Sequence, residues 1–186
     1  MIGILHPAKC GGTTLNDYFR DQPGYKVQPN NSTAHKTTSE MMLNSGCSRV
    51  IMLVRHPVER LISRYKWVCG YGRTIGIDNP NEKISKIQMS QGHFMTTTLS
   101  SLKNWKPLQW YLGGLDVADE RLMYVRTKHM ETDLKTWGVH IKQLPHYHNA
   151  EKVDFSLGDE YYDKIKTRVS REFEFFLNVC SIIERQ

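Results

Sequence analysis

The fold of this chain is decided by a short stretch near its start, residues 4–15, which reads ILHPAKCGGTTL. The apolar run Ile2–His6 predicts a short buried strand, and Thr14–Arg20 has the pattern of a helix start. Between them, Gly11 and Gly12 allow the backbone to approach a ligand closely. The free N–H groups and the positive dipole end of a helix N-terminus favour a bound phosphate or sulfate. The stretch therefore predicts a strand, an anion-binding loop and a helix.

The order of residues in this loop is not that of the magnesium-dependent nucleotide enzymes. In the Walker A sequence a lysine and a hydroxyl residue close the loop, whereas here Lys9 precedes the glycines. An apolar strand that ends in a carboxylate would supply a metal ligand, and the nearest candidate, Leu115-Asp116, only follows two glycines. A magnesium-dependent kinase or nucleotide hydrolase is therefore disfavoured, and we expect no metal.

A second motif, VRHPVERLISRY at residues 54–65, follows the clearest strand of the sequence. The strand Arg49–Val54 is a continuous apolar run of the kind that is buried on both faces of a parallel sheet. Arg55 stands at its carboxyl end, where ligands bind in open α/β sheets, and Ser63 lies on the helix that begins at Pro57. An arginine fork and a serine hydroxyl placed in this way can bind a second phosphate.

The rest of the chain alternates strands with helices. Tyr25–Gln28 and Leu122–Val125 have strand patterns, Ser39–Asn44 and Met130–Trp137 have helical ones, and Tyr161–Val179 predicts one long amphipathic C-terminal helix. This alternation predicts an α/β domain with a mainly parallel sheet flanked by helices. The length predicts a single domain over residues 1–186, with a loop insertion at residues 70–91, which are rich in Gly, Asn and Lys.

Composition and charge indicate the class of partner. The chain carries a net charge of +6 and has 39% hydrophobic residues, which is typical of a globular protein that binds anions. Its four scattered cysteines indicate reduced thiols rather than a zinc site or a disulfide framework. No membrane span or signal peptide is visible. We therefore expect a cytoplasmic protein if Met1 is the natural start, and otherwise an excised luminal domain.

Together the two motifs resemble those of the carbohydrate sulfotransferases that use 3′-phosphoadenosine 5′-phosphosulfate, in the heparan and chondroitin branch of the P-loop-like sulfotransferases. The 5′-phosphosulfate loop of that family is matched in register at six positions: His6, Lys9, Gly11, Gly12, Thr13 and Thr14. The proline has moved to Pro7, with Ala8 in its usual place, and Cys10 stands where threonine is common. The 3′-phosphate motif departs mainly at His56. Weaker similarities to the family lie in residues 34–40, residues 109–112 and the predicted C-terminal helix.

The resemblance implies a three-layer P-loop-like fold and transfer of a sulfuryl group from 3′-phosphoadenosine 5′-phosphosulfate to a hydroxyl by in-line displacement, with a carbohydrate as the expected acceptor. Lys9 and His35 are then the expected catalytic residues, Lys9 as the cation for the leaving phosphate and His35 as general base, with Glu40 as the second choice. The expected cofactor-binding residues are Lys9, Cys10, Gly11, Gly12, Thr13, Thr14, Arg55 and Ser63. The expected partner is a glycan or other hydroxyl-bearing acceptor, and no nucleic acid is expected.

Several side chains remain open to more than one interpretation. His6 is expected to end the first strand as a structural group, and His146 and His148 lack a third metal ligand and fit a substrate-side loop near Asn149. Among the aromatic residues, Trp67 and Trp110 are expected to pack in the core, and Tyr71 is the better substrate candidate. Trp105 and Tyr111 could also stack on adenine or a sugar.

Two alternative functions stay open at this point. A non-catalytic basic module could grip a phosphate or a polyanion without turnover, and it would show salt-sensitive polyanion binding with no effect of the cofactor. A nucleotide kinase would require stabilisation by magnesium and ATP and an acidic metal ligand. The sequence leaves the acceptor and the oligomeric state undetermined.

Overall fold

The centre of the molecule is a four-stranded parallel sheet. The computed structural model describes residues 1–28, 36–70, 94–95, 105–144 and 157–186, with the backbone alone for residues 67–70. The sheet has the strand order β2-β1-β3-β4. Its strands are β1 (Ile2–Leu5), β2 (Tyr25–Val27), β3 (Arg49–Val54) and β4 (Leu122–Arg126). Helices flank this sheet, so the predicted α/β class is confirmed.

A helix follows each strand, and the bounds of the helices differ by one to three residues from the predicted ones except at the C-terminus. They are α1 (Gly12–Phe19), α2 (Thr38–Ser45), α3 (Pro57–Gly70), α4 (Met130–Thr136), α5 (Asp159–Arg168) and α6 (Ser170–Ile183), with short 3₁₀ helices at Leu108–Leu112 and Thr127–His129. Connections between parallel strands are right-handed. Because β1 to β2 runs one way along the sheet and β2 to β3 the other, we expect from this rule that α1 and α2 lie on opposite faces.

The described residues form two compact units. The first contains Met1–His56, Lys106–Tyr147 and Arg171–Gln186, and the second contains Pro57–Trp105 and His148–Ser170. The core of the first unit is built on the strands: Val50 to Val54 of β3 and Met123 to Val125 of β4 are completely buried. A separate apolar cluster holds the second unit together and includes Val58, Leu61, Tyr65, Phe94 and Ile165. The expectation of a single domain over residues 1–186 stays a prediction.

The prediction of one long C-terminal helix over Tyr161–Val179 was wrong, because the structure has two helices there. Helix α5 ends at Arg168, and Val169 has φ −109° and ψ 25°, which lie outside the α-helical range. Ile165 and Val169 are buried in the cluster of the second unit. Phe175 and Val179, further along the chain, belong to the core of the first unit. The continuous apolar stripe in the sequence therefore served two different cores.

A buried ion pair fixes the end of β4. Asp133 on α4 is 1% exposed, and its carboxylate accepts hydrogen bonds from Nε and Nη2 of Arg126 at 3.0 and 2.8 Å. The backbone N–H of Arg126 donates to the same carboxylate at 2.7 Å. Such bidentate, charge-assisted pairs fix geometry as well as supplying energy. The pair therefore fixes the point at which the chain leaves the sheet toward Thr127.

Some sequence predictions lie outside the described residues. They are His35, the insertion at residues 70–91 from residue 71 onward, Tyr71, His146, His148, Asn149 and the side chain of Trp67. Among the helices that the structure describes, none combines the length and apolar composition that a membrane span requires.

Candidate functional site

The candidate site lies at the carboxyl edge of the parallel sheet. The chain runs from β1 to β2 on one side and then from β2 to β3 on the other, so β1 and β3 are neighbours at a point where the strand order reverses. Ligands of open α/β sheets bind outside the carboxyl ends of strands at such a point. The loop of residues 6–11 follows β1, Arg55 follows β3 and Thr127 follows β4.

The loop after β1 is a tight turn with an unusual backbone. The N–H of Cys10 donates to the carbonyl of Pro7 at 3.1 Å, and Lys9 has φ 66°, the one positive value among the described non-glycine residues. A side chain in the left-handed region costs roughly 1–2 kcal/mol, a cost that glycine does not incur. Strained backbone of this kind is concentrated at functional sites. The lysine is therefore held at a position where glycine would fit with less strain.

The displaced proline has a structural consequence in the same loop. Proline has no N–H, so a proline at position 8 could not donate a hydrogen bond from its backbone. Here the N–H of Ala8 donates to the hydroxyl of Tyr111 at 3.4 Å. Tyr111 belongs to the 3₁₀ helix Leu108–Leu112 and is 1% exposed. Moving the proline to Pro7 thus provides a donor that ties the loop to a buried tyrosine.

Gly12, the first residue of α1, is required by the packing of His6. A Cβ atom added at Gly12 would lie 2.1 Å from both Cβ and Cγ of His6, a distance that no folded protein tolerates. His6 is buried, and its backbone N–H donates to Oε1 of Gln28 at 3.3 Å. His6 therefore follows the last residue of β1 as a buried group with a hydrogen-bonded backbone, in line with its predicted structural role, and its ring lies close to the backbone of Gly12.

Two cationic side chains converge on the loop. Nη1 of Arg55 donates to the carbonyl of Lys9 at 3.3 Å, so the end of β3 supports the strained residue directly. Burial, and next the positive charge of Arg55, lower the pKa of Lys9 to about 8. A bound anion would offset the repulsion between these two positive charges in the partly buried loop. The structure thus brings together Lys9 and Arg55, which the sequence singled out separately.

The N-terminus of α1 is open to an anion. Its N-cap, Gly11, has φ 78° and no side chain to cap the helix, and no acidic residue lies in the first turn. The hydroxyls of Thr13 and Thr14 make no hydrogen bond to any other described residue. Cys10, by contrast, is completely buried in the core, so its side chain faces away from a ligand. Of Cys10, only the backbone is available to the site.

Thr127 is a residue that the sequence analysis missed. Its Oγ1 lies 3.0 Å from the carbonyl of Cys10 and 2.9 Å from the carbonyl of Val54, and it bridges the loop to the end of β3. In a trans peptide the carbonyl and the following N–H point in opposite directions. Holding the carbonyl of Cys10 on the Thr127 side therefore directs the N–H of Gly11 the other way. Thr127 does not belong to a sequence motif, and only its contact with Cys10 in the folded chain shows that it is part of the site.

We expect Thr127→Val to weaken the loop without unfolding the protein. The substitution keeps the shape of the side chain and removes one hydroxyl, whose hydrogen bond contributes about 0.5–1.5 kcal/mol. The melting temperature should fall by a few degrees, and Thr127→Ser should restore it. Differential scanning calorimetry of the three proteins measures the effect. An unchanged melting temperature in the valine variant would show that the bridge does not stabilise the loop.

A second polar cluster that the sequence analysis missed joins the ends of β1 and β2. Gln28 is buried; its side chain accepts from the N–H of His6, and its carbonyl accepts from Nδ2 of Asn16 at 2.6 Å. Asn16 lies on α1 and is also buried. The chain thus leaves the sheet at a fixed point just before residues 29–35.

The predicted general bases have different outcomes. His35 lies outside the described residues, so its role stays a prediction. Glu40 is part of a capping box at the start of α2, where its carboxylate accepts from the N–H of Thr37 at 2.6 Å and from its hydroxyl at 3.0 Å. These hydrogen bonds lower the pKa of Glu40, which makes it a weaker base and favours His35.

Ser63 and the aromatic residues complete the predicted set. Ser63 lies half-buried on α3 in the second unit, and its cofactor role stays a prediction. The expectation that Trp110 packs in the core was wrong, because Trp110 is 39% exposed, with Nζ of Lys106 3.7 Å from the centre of its ring. Its apolar neighbours Leu108 and Leu112 occupy the buried positions of this short helix instead. Tyr111 is buried and cannot stack on a ligand.

The departure at His56 is also explained by packing. The His56 ring meets the rings of Phe173 and Phe176 edge-on, with centroid distances of 5.1 and 5.5 Å. An aromatic ring at this position fills the space beside α6 that a shorter polar residue would leave. In the part of the chain that the structure describes, no group of three or more histidine, cysteine or acidic residues is placed to hold a metal ion.

One of three comparisons with known proteins found a match, and that match agrees with this architecture. No family model matches the chain, and no curated protein matches it. Among solved structures, a sulfotransferase from Alicyclobacillus acidocaldarius is similar, with a TM-score of 0.52 and 12% sequence identity over all of this chain and 96% of that one. At this identity the likeness concerns the fold. The chain therefore has the P-loop-like α/β fold of that sulfotransferase.

Proposed function

We propose that this protein is a sulfotransferase that moves a sulfuryl group from 3′-phosphoadenosine 5′-phosphosulfate to a hydroxyl of a carbohydrate. The observation that carries the proposal is the loop at the reversal point of the sheet, where Lys9 and Arg55 meet in front of an uncapped helix. The sequence order of the loop and the likeness of fold to a sulfotransferase support the same activity.

The residues present fit the 5′-phosphosulfate group. An oxyanion could be bound by the side chains of Lys9 and Arg55, whose positive charges repel each other in its absence. The hydroxyls of Thr13 and Thr14 add donors, and Lys9 is held in a strained backbone conformation. His6 leaves room for nothing larger than glycine at position 12, so this residue can contribute only backbone groups to the loop. This combination of cations and backbone donors matches the needs of a phosphate or sulfate ester.

The chain's own groups then have definable roles. When bound, the donor would supply an activated sulfuryl group attached to a phosphate leaving group. The Lys9 ammonium stabilises negative charge that develops on the leaving oxygen, and the N–H groups of Gly11, Gly12 and Thr13 donate to the oxygens around it. Arg55 holds the loop in this conformation through the carbonyl of Lys9. Fixed positions of this kind lower the barrier because they need no reorganisation during transfer.

For the acceptor we propose a carbohydrate hydroxyl that His35 deprotonates. A histidine is suited to this task because its ordinary pKa lies near neutrality. It follows Gln28 by a short segment and precedes the capping box of α2, so both ends of its segment are held by described hydrogen bonds. A general base typically contributes about 10²–10⁴-fold to the rate.

We expect the affinity for adenosine 3′,5′-bisphosphate to fall as the pH rises through about 8. Below that value Lys9, whose pKa is about 8, is an ammonium, and above it Lys9 loses the charge that attracts the ligand. The phosphate groups keep a constant charge there, because their second pKa is about 6. Isothermal titration calorimetry from pH 7 to 10 measures the change. Lys9→Arg, which stays charged, should flatten the profile, and a pH-independent affinity in the wild type would contradict the assignment.

The proposed function is tested by two measurements without metal. In EDTA, adenosine 3′,5′-bisphosphate at about 100 times its dissociation constant should stabilise the protein by roughly 2.7 kcal/mol. Labelled sulfate should then pass from the donor to a member of a panel of oligosaccharides. No stabilisation at millimolar ligand would overturn the proposal. Stabilisation with no transfer to any carbohydrate, but transfer to a phenol or a peptide tyrosine, would overturn only the acceptor class.

A further inference from the structure

The second unit contains two arginines stacked on one tryptophan. Arg60 and Arg64 are four residues apart on α3, so they lie on the same face of the helix. The Cζ atoms of Arg60 and Arg64 lie 4.0 and 4.8 Å from the centre of the Trp105 ring. Cation–π contacts with indole orient a guanidinium group without neutralising its charge. The arrangement therefore concentrates two positive charges at one aromatic ring.

The two arginines differ in exposure. Arg60 is completely buried, and its guanidinium group packs on the Trp105 ring. Arg64 is only half-buried, so part of its side chain is open to solvent. Arg60 therefore serves as the inner wall of the arrangement, and Arg64 is the group that a ligand can reach.

The Arg64 guanidinium has neither a hydrogen-bond acceptor nor a carboxylate among the described residues. The pKa of Arg64 is lowered by burial and by the charge of Arg60. A partly desolvated charge beside a like charge is unfavourable unless an opposite charge compensates it. Its planar fork of N–H donors matches two oxygens of a phosphate or sulfate ester. An oxyanion ligand could therefore supply the opposite charge that the described residues do not place beside Arg64.

Ser63 adds a hydroxyl next to Arg60 on α3. It is three residues after Arg60, which makes the two side chains neighbours on the helix surface. Ser63 is half-buried, and its hydroxyl makes no hydrogen bond with any other described residue. The apolar residues Val58, Leu61 and Tyr65 occupy the buried side of α3 and belong to the core cluster. Ser63 and Arg64, which are both half-buried, therefore lie away from this core side, whereas Arg60 is buried.

We propose that Arg64, oriented by Trp105, is the main ligand of an oxyanion-binding site on α3, and that the site takes a phosphate or sulfate monoester. Arg64 is outside the positions by which the chain resembles other sulfotransferases. On the proposed function, the ester comes from one of two sources: the 3′-phosphate of the cofactor or a sulfate group already present on the acceptor. The site itself requires only the ester.

The site is tested first with inorganic sulfate, which needs neither cofactor nor turnover. Tryptophan fluorescence is titrated with sodium sulfate at constant ionic strength, set with sodium chloride, in the wild type and three variants. Arg64→Gln removes the ligand, Arg64→Lys keeps the charge without the fork, and Arg168→Gln is the control. Arg168 is exposed on α5, so its loss changes the net charge equally. Melting curves of all four proteins verify that they are folded.

The expected result is a saturable change in the wild type and in Arg168→Gln that is weakened about ten-fold or more in Arg64→Gln. Arg64→Lys should fall between them, because a lysine offers a point charge rather than a fork. Equal sulfate affinity in the wild type and Arg64→Gln would overturn the proposal. This outcome is independent of the proposed function, since a sulfotransferase could bind its cofactor through the first unit and lack this site.

Two further titrations identify the source of the ester. Adenosine 3′,5′-bisphosphate and adenosine 5′-monophosphate differ only in the 3′-phosphate, so the ratio of their affinities isolates that group. If Arg64→Gln lowers this ratio about ten-fold, the site holds the cofactor. If the ratio is unchanged and the variant instead weakens binding of a sulfated disaccharide relative to its desulfated form, the site holds the acceptor. If Arg64→Gln changes neither the effect of the 3′-phosphate nor the effect of the sulfate group on ligand affinity, both sources are contradicted and the site has no role in the reaction.

Discussion

Replacement of Lys9 by alanine should lower the rate of sulfuryl transfer about 100- to 1,000-fold. The substitution removes the positive charge that faces the leaving phosphate, and loss of one preorganised electrostatic contact in an active site has an effect of this size. The effect should fall mainly on kcat, because charge on the leaving oxygen develops only during transfer. Single-turnover transfer of labelled sulfate measures the chemical step directly.

The control for this experiment is Lys135→Ala, an exposed lysine of α4 that leaves the loop untouched. Its rate should match that of the wild type. The strained backbone supplies a second check. Lys9→Gly should be more stable than Lys9→Ala by about 1 kcal/mol, because glycine accepts the φ of 66° without strain. Both variants should be equally inactive. A folded Lys9→Ala protein with wild-type kcat would remove Lys9 from the chemistry.

Gly12→Ala should destabilise the protein by more than about 3 kcal/mol or displace the loop. Overpacking of a well-filled interior typically costs 1–3 kcal/mol, and here the added carbon lies 2.1 Å from two carbons of His6. Because the clash involves the Cβ of His6 as well as its ring, rotation of the side chain cannot relieve it. Urea denaturation measures the free energy of unfolding. Titration with adenosine 3′,5′-bisphosphate measures the ligand affinity, which should fall if the loop is displaced.

A matched glycine and a rescue separate this clash from a general intolerance of alanine. Gly46 ends α2 with φ 62°, and a Cβ there meets nothing within 4 Å, so Gly46→Ala should cost only about 1–2 kcal/mol. His6→Gly combined with Gly12→Ala removes both clashing carbons, and this double variant should be more stable than Gly12→Ala alone. If Gly12→Ala is no less stable than Gly46→Ala, the packing of His6 against the loop is not the constraint.

Several features of the fold could be predicted from the sequence because they depend on local patterns. The apolar run Arg49–Val54 predicted a buried central strand, and β3 has those bounds. The lysine-first loop predicted an anion site between a strand and a helix, and the structure places an uncapped helix there. The helical stripe of residues 161–179 misled the analysis, since periodicity indicates that a face is buried but not which core buries it.

Other features depend on contacts between distant residues and had no local signal. Thr127 meets the loop across 117 residues of sequence, and Tyr111 meets Ala8 across 103. Neither residue stands in a recognisable motif. Trp110 was expected in the core because large aromatic residues usually are, but its short helix buries only one side. The stacking of Arg64 on Trp105 across 41 residues is of the same kind.

The sequence by itself determined which chemistry this chain can attempt. The order of Lys9, Gly11 and Gly12, the arginine after an apolar strand and the positive net charge indicate an anion site, because the residue types fix charge and backbone freedom. The tertiary structure alone decided how the loop is held. Arg55 and Thr127 donate hydrogen bonds to its carbonyls, and Tyr111 accepts one from Ala8. The packing of His6 requires glycine at position 12. Parallel strands bring these residues to one edge of the sheet although they are far apart in the chain.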